Sequence, residues 1–206
     1  MSSVKEKYDR ISKFYDFLKS GDTRRWSPAQ KIFFQGLRGR VLYVGVGPGP
    51  EIVNFPPGLD ITAIDISEQM LRAARRRADV YPGTFRCINM DVAQLGFPDQ
   101  AFDTVLGVCV FCTVERPIEG LRELRRVLKP GGKLMMFEHV LSRYAVFAAI
   151  LKLMSRLTVR LSGTHLDRNT VENVRRAGFT VESELNIYLD IVKAITARPS
   201  DPPTTH

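Results

Sequence analysis

A short apolar run, Val41-Leu42-Tyr43-Val44, ends abruptly in Gly45-Val46-Gly47-Pro48-Gly49-Pro50. An apolar run of this length cut off by glycines reads as a buried parallel strand. Three alternate glycines allow a sharp turn and let backbone approach a ligand that any Cβ would push away. Twenty residues beyond Gly45, a second apolar run, Ile61-Thr62-Ala63-Ile64, delivers Asp65. Strand, glycine loop, helix, strand and acid form the layout of a nucleoside-binding βαβ unit, with the acid placed to accept hydrogen bonds from ribose hydroxyls.

The spacing is G-x-G-x-G, so the third glycine arrives one residue earlier than in the dinucleotide fingerprint G-x-G-x-x-G. Pro48 and Pro50 each remove an N–H from the loop, which weakens it as a phosphate cradle. A nucleoside without phosphates suits this loop better.

The rest of the chain reads as one α/β domain spanning residues 1–198. Residues 1–40 are basic and carry Tyr8, Ile11, Phe14, Tyr15 and Leu18 at helical spacing. A second helix is predicted from Ser27 to Leu37, with Pro28 in its first turn. Ser67 is placed to cap a helix from Glu68 to about Ala78, on which Arg72, Arg75, Arg76 and Arg77 read as solvated surface. Phe85–Ile88 is predicted as a third strand and Thr104–Phe111 as a central one buried on both faces. A helix over Ile118–Leu128 precedes Pro130-Gly131-Gly132, and Lys133–Glu138 forms a fifth strand. Arg143–Leu161 alternates apolar residues with Arg143, Lys152, Arg156 and Arg160 and contains no acid. It is too short and too charged to span a bilayer and reads as a basic amphipathic helix within a segment, 141–168, that serves as a lid alone or as a lid touching a membrane interface. A short helix over 171–177, stopped by Gly178, precedes two closing strands, Phe179–Glu182 and Asp190–Ala197. Residues 199–206 are Pro-rich and polar and read as a disordered tail. Cys87, Cys109 and Cys112 are expected to be buried structural thiols. No apolar segment of signal type follows the start, so a cytoplasmic location is expected, and the net charge of +8 implies attraction to an anionic partner.

Several stretches recur in this order in one family: the glycine loop, Ala63-Ile64-Asp65-Ile66-Ser67-Glu68-Gln69-Met70-Leu71, Asn89-Met90-Asp91-Val92, Phe97-Pro98-Asp99-Gln100-Ala101-Phe102-Asp103, and Leu128-Lys129-Pro130-Gly131-Gly132. Together they resemble the class I S-adenosylmethionine-dependent methyltransferases, particularly the small group similar to the ubiquinone/menaquinone C-methyltransferases. The resemblance implies a Rossmann-like sheet of seven strands, mostly parallel, with a C-terminal antiparallel β-hairpin and helices on both faces. It implies S-adenosylmethionine as donor and S-adenosylhomocysteine as product; two histidines and scattered carboxylates do not read as a metal site. By position, Gly45, Gly47 and Gly49 admit the methionine part of the donor and Asp65 takes the ribose diol. Ile66 and Met70 flank the adenine, Asp91 with Met90 or Val92 reads its edge, and Val108 to Phe111 border the methyl group. The segment carrying Tyr8 and Tyr15 is similar to a lid in that family, which would turn Tyr15 toward the donor, where an electron-rich ring favours a sulfonium. One departure stands out: the family usually carries an acid two positions before the first glycine, and Tyr43 is there instead.

Methyl transfer from a sulfonium is an in-line displacement, promoted by alignment and exclusion of water. The acid–base candidates are His139, Glu138 and His165; Glu138-His139 follows the fifth strand, on the edge where α/β folds bind ligands. Three functions compete. A methyltransferase acting on a small apolar or lipid-like acceptor (a quinone precursor, a phospholipid headgroup amine or a thiol) accounts for the lid segments, with an anionic membrane surface as partner. A nucleic-acid methyltransferase accounts for the charge, but neither a base-binding Asn-Pro-Pro-Tyr motif nor an RNA-binding module accompanies it. A non-catalytic peripheral membrane protein with a retained donor-binding fold accounts for Tyr43. The first reading is preferred.

Overall fold

The structure, a computed structural model, describes residues 25–200. Its strands are β1 (Arg40–Val44), β2 (Asp60–Asp65), β3 (Thr84–Asn89), β4 (Phe102–Val108), β5 (Leu128–His139), β6 (Phe179–Tyr188) and β7 (Val192–Pro199). They form one sheet in the order β3-β2-β1-β4-β5-β7-β6. The pairs among β1 to β5 are parallel, and β7 runs antiparallel to both β5 and β6. This is the expected Rossmann-like architecture. The chain runs outward from β1 to β3 and then returns to place β4 on the other side of β1. That reversal opens a crevice beyond the carboxyl ends of β1 and β4.

The sequence dictates burial on both sides of the sheet. Val41, Leu42, Tyr43 and Val44 are all essentially buried, each worth roughly 1.5–3 kcal/mol of removed apolar surface. One face packs against helix α1 (25–34), a 3-10 turn (Pro50–Asn54) and α2 (Glu68–Ala78), through Phe34, Leu37, Ile52, Leu71 and Ala74. The other packs against α3 (Pro117–Val127) and α5 (Thr170–Arg176), through Leu121, Leu124, Val127, Val171 and Val174. A further helix, α4 (Ala145–Ser162), turns Leu151 and Ser155 inward among its described side chains. Ser67 caps α2 as predicted, accepting from the Met70 amide at 3.3 Å.

Several boundaries differ from expectation. The element after the glycine loop is only a five-residue 3-10 turn, because Pro56-Pro57-Gly58 follows at once. β4 stops at Val108 rather than Phe111 because Cys109 takes a left-handed φ of 50°, which a strand cannot contain. β5 begins at Leu128, which pairs with Phe102, and residues 129–132 form an irregularity before pairing resumes between Lys133 and Thr104. β6 extends to Tyr188 and pairs with β7 along most of its length. The closing segment is ordered further than predicted: Pro199 ends β7, and the Ser200 amide donates to the Gly178 carbonyl at 2.9 Å. Tyr8 and Tyr15, with the rest of the first predicted helix, lie outside the described residues, as do residues 201–206.

Candidate active site

A cavity of about 230 Å³ opens at the crevice, lined by residues from the ends of β1 to β5, with Trp26 and Gln30 of α1 along one side. The glycine loop forms its floor. Gly45, at φ 62°, is fixed by crowding, because a Cβ there would come within 2.1 Å of Val110 Cγ2. Gly47, at φ 55°, would carry its Cβ into space with no atom within 4 Å. One glycine therefore lets two parts of the protein meet, while the other leaves room for something else. The Gly49 amide donates to the Val46 carbonyl (3.0 Å), and Arg77 donates to the Pro48 carbonyl (2.6 Å). Arg77 is thus a clamp on the loop rather than the solvated side chain expected.

Asp65 Oδ2 accepts from the Gly47 amide and Oδ1 from the Ser67 amide, both at 2.8 Å. A carboxylate offers about four lone-pair sites, so this orientation retains capacity for a diol. Ile66, Met70, Asp91, Val92 and Val108 all line the same cavity, as do Met90 and Gly45. Asp91 Oδ1 accepts from the Ala93 amide at 2.8 Å, and Arg116 approaches Oδ2 at 3.4 Å. Gly49 contributes through conformation instead, with φ 75° at the start of the 3-10 turn.

The candidates for acid–base work separate. His139 lines the cavity, its Nδ1 3.4 Å from Cys109 Sγ. Cys109 lines it too and is half-buried, so it is a site residue and not simply the core thiol expected; Cys87 is also half-buried. Glu138 is fully buried and accepts from the Val110 and Phe111 amides at 2.9 and 3.0 Å. It shapes the loop after β4 by replacing the strand bonds that Cys109 interrupts. His165 is not among the cavity-lining residues; its amide donates to the Cys112 carbonyl at 2.8 Å. The neighbouring Arg168 donates to the carbonyls of Phe111 (2.8 Å) and Val114 (2.5 Å). Burial draws its guanidinium below the ordinary arginine range, although Cys112 and Asp167 oppose this. Sequence reasoning missed Trp26, Gln30 and Glu51 as lining residues; of the stretch expected to border the methyl group, Val108, Cys109 and Val110 line the cavity and Phe111 is buried in the core. Trp26 and Gln30 sit in no motif, Glu51 follows the glycine loop, and only folding brings all three to the crevice.

Residues 42–136 match the family model described as a methyltransferase domain. Over 171 residues the chain is 31% identical to the phosphatidylethanolamine N-methyltransferase of Cereibacter sphaeroides, covering 81% of this chain and 82% of that protein. This chain belongs to the class I S-adenosylmethionine-dependent methyltransferases. It is also 32% identical over 158 residues to the ubiquinone/menaquinone biosynthesis C-methyltransferase of Geotalea daltonii, covering 70% of this chain and 66% of that one. Among solved structures, the S-adenosylmethionine-dependent methyltransferase of Thermotoga maritima shares the fold with a TM-score of 0.68 at 21% identity, covering 95% of this chain and 99% of that one. The residues present fit the donor that a methyltransferase of this family uses: Gly47 leaves space where a side chain would stand, and Asp65 is held at the end of β2. Among the described residues, no group of three or more His, Cys, Asp or Glu could hold a metal ion.

Proposed function

We propose that this methyltransferase acts on a lipid-like acceptor at an anionic membrane surface, with a phospholipid headgroup amine as the first candidate and a quinone precursor as the second. The observation that carries this reading is the exposed face of α4. Val146, Ile150, Leu153 and Met154 recur at i, i+4, i+7 and i+8 and are 71%, 49%, 69% and 50% exposed, with Tyr144 at 59% beside them. Arg143, Lys152 and Arg160 accompany them, also exposed, and α4 contains no acidic residue. An apolar stripe with basic flanks is the composition of an interfacial helix. Among the described residues no helix is long and apolar enough to cross a membrane, so the mode is surface contact.

Both ends of α4 are tied to the cavity rim. Its entry is joined to His139 by residues 140–144, in which the Leu141 amide donates to the Arg168 carbonyl at 3.1 Å. Its exit returns through His165 and Arg168 to the 111–114 loop, whose Thr113 and Val114 line the cavity. A helix lying in a headgroup layer would thereby hold the mouth of the cavity against its acceptor.

Bound in the cavity, the donor supplies an electrophilic methyl on a sulfonium. In this reading Asp65 holds the ribose hydroxyls, with Ile66 and Met70 against the base. Val108 and Cys109 border the methyl side. His139 takes the proton that a headgroup ammonium must lose before its nitrogen can attack. The similarity to a phosphatidylethanolamine N-methyltransferase over most of both chains supports the amine over the quinone.

The test is transfer of radiolabelled methyl from S-adenosylmethionine to vesicles of phosphatidylethanolamine with phosphatidylglycerol, beside detergent-dispersed demethylquinone and a small thiol. Label in the phospholipid, lost when Arg143, Lys152 and Arg160 are changed to glutamate while binding of S-adenosylhomocysteine is retained, is the expected result. Transfer to a water-soluble thiol alone, unaffected by vesicles or by those changes, would refute it.

A further inference from the structure

S-adenosylmethionine carries a protonated α-ammonium at the end of the molecule remote from its base, and nothing described so far holds that charge. The cavity lining runs across the sheet from β3 (Met90, Asp91) through β2 (Asp65, Ile66) to the loops after β1 and β4. A ligand with its nucleoside on the β2–β3 side has its amino-acid end on the β1 side. Among the described residues, four carboxylates line the cavity: Glu51, Asp65, Asp91 and Glu115. Asp65 and Asp91 belong to the nucleoside side and hold backbone amides there. Glu115 is exposed at the rim, beside Arg116.

Among these, Glu51 is the one on the β1 side. It stands two residues after Gly49, as Tyr43 stands two residues before Gly45, so the two flank the glycine loop. Tyr43 is 1% exposed, and its ring packs edge-on against Phe55 at 5.4 Å. A buried phenol needs a hydrogen-bond partner, and the Tyr43 hydroxyl donates to Glu51 Oε2 at 3.1 Å. The ring is held by the core, so it fixes the carboxylate at its tip.

We propose that Glu51, positioned by the Tyr43 hydroxyl, is the carboxylate that binds the donor's α-ammonium. Tyr43 thus does not leave the amine without a partner; it positions an acid that reaches the cavity from the other side of the loop. This assignment rests on reading the cavity as the S-adenosylmethionine site.

The test compares two ligands by calorimetric titration: S-adenosylhomocysteine, which has the ammonium, and 5′-methylthioadenosine, which lacks the whole amino-acid end. Losing a charge-assisted hydrogen bond predicts that Glu51→Gln weakens S-adenosylhomocysteine roughly 10- to 100-fold, with methylthioadenosine within about twofold of wild type on the same reasoning. Tyr43→Phe should weaken S-adenosylhomocysteine less, and Glu51→Asp should restore part of the loss. Undiminished methylthioadenosine binding reports that each variant is folded. Equal weakening of both ligands by Glu51→Gln, or of neither, would overturn the assignment while leaving the family reading intact. Wild-type protein that binds neither nucleoside would overturn both.

Discussion

Replacing Asp190 by asparagine probes the joint between the C-terminal hairpin and α4. Asp190 sits in the turn between β6 and β7 and is completely buried. Its Oδ2 accepts from the Arg143 amide at 2.6 Å and from the Ser142 hydroxyl at 3.3 Å, and its Oδ1 lies 2.9 Å from Lys193 Nζ. Lys193 is itself only 4% exposed along its side chain and also pairs with Glu184 at 2.5 Å. Burial alone would raise the Asp190 carboxyl, but the Arg143 amide and the Lys193 ammonium outweigh it and hold the group below its usual range. Asparagine keeps the shape and tolerates the left-handed φ of 57°, so the substitution removes charge without adding backbone strain. Stripping one partner from a buried pair costs about 3–5 kcal/mol. Lys193 keeps Glu184 and the new amide oxygen still accepts one bond, so a cost below that range, about 2–3 kcal/mol, is expected. For a chain of this size the midpoint should fall by roughly 4–12 °C, read by circular dichroism, with faster tryptic cleavage after Arg143. Lys193→Met should cost less in the Asp190→Asn background than in wild type, because the Asp190–Lys193 pair is already broken there. A midpoint shift under about 1 °C, or losses that simply add in the double variant, would refute the account.

Gly45→Ala and Gly47→Ala should separate stability from binding. The first forces a methyl onto Val110 and should lower the melting midpoint markedly. The second adds about 1–2 kcal/mol of left-handed strain but puts its methyl into the cavity, so S-adenosylhomocysteine affinity should fall much further than stability; the reverse ranking would mean that Gly47 does not face the ligand. Acid unfolding should begin below the ordinary carboxylate range. Asp103 (bonded to Lys129), Glu123 (bonded to Arg126) and Asp190 are all depressed in the folded state. Their contributions are therefore complete above the ordinary values of 3.8 and 4.5 and are lost as pH falls through the lower folded values. A melting midpoint that rises on acidification from pH 5 to pH 3 would contradict this sign.

Local pattern determined a great deal. The run from Val41 to Val44 could be placed as a buried parallel strand from its composition, and its abrupt end in glycines located the loop that lines the cavity. Ser67 before a helical pattern gave the cap, and the spacing of Asp65 singled out the acid that folding places beside Gly47 at the cavity. Each of those signals lies within about twenty residues of chain, where periodicity, caps and turns act. Tertiary structure alone decided the rest. Cys109 reaches His139 across a separation of 30 residues, Glu138 reaches the loop after β4 across 27 and 28, and Arg143 reaches Asp190 across 47. Even Tyr43 and Glu51, only eight apart, meet because the glycine loop turns back on itself and Phe55 fixes the ring. Such pairings leave no period in the sequence, since they are set by where strands register and what each buried polar group must find to satisfy it.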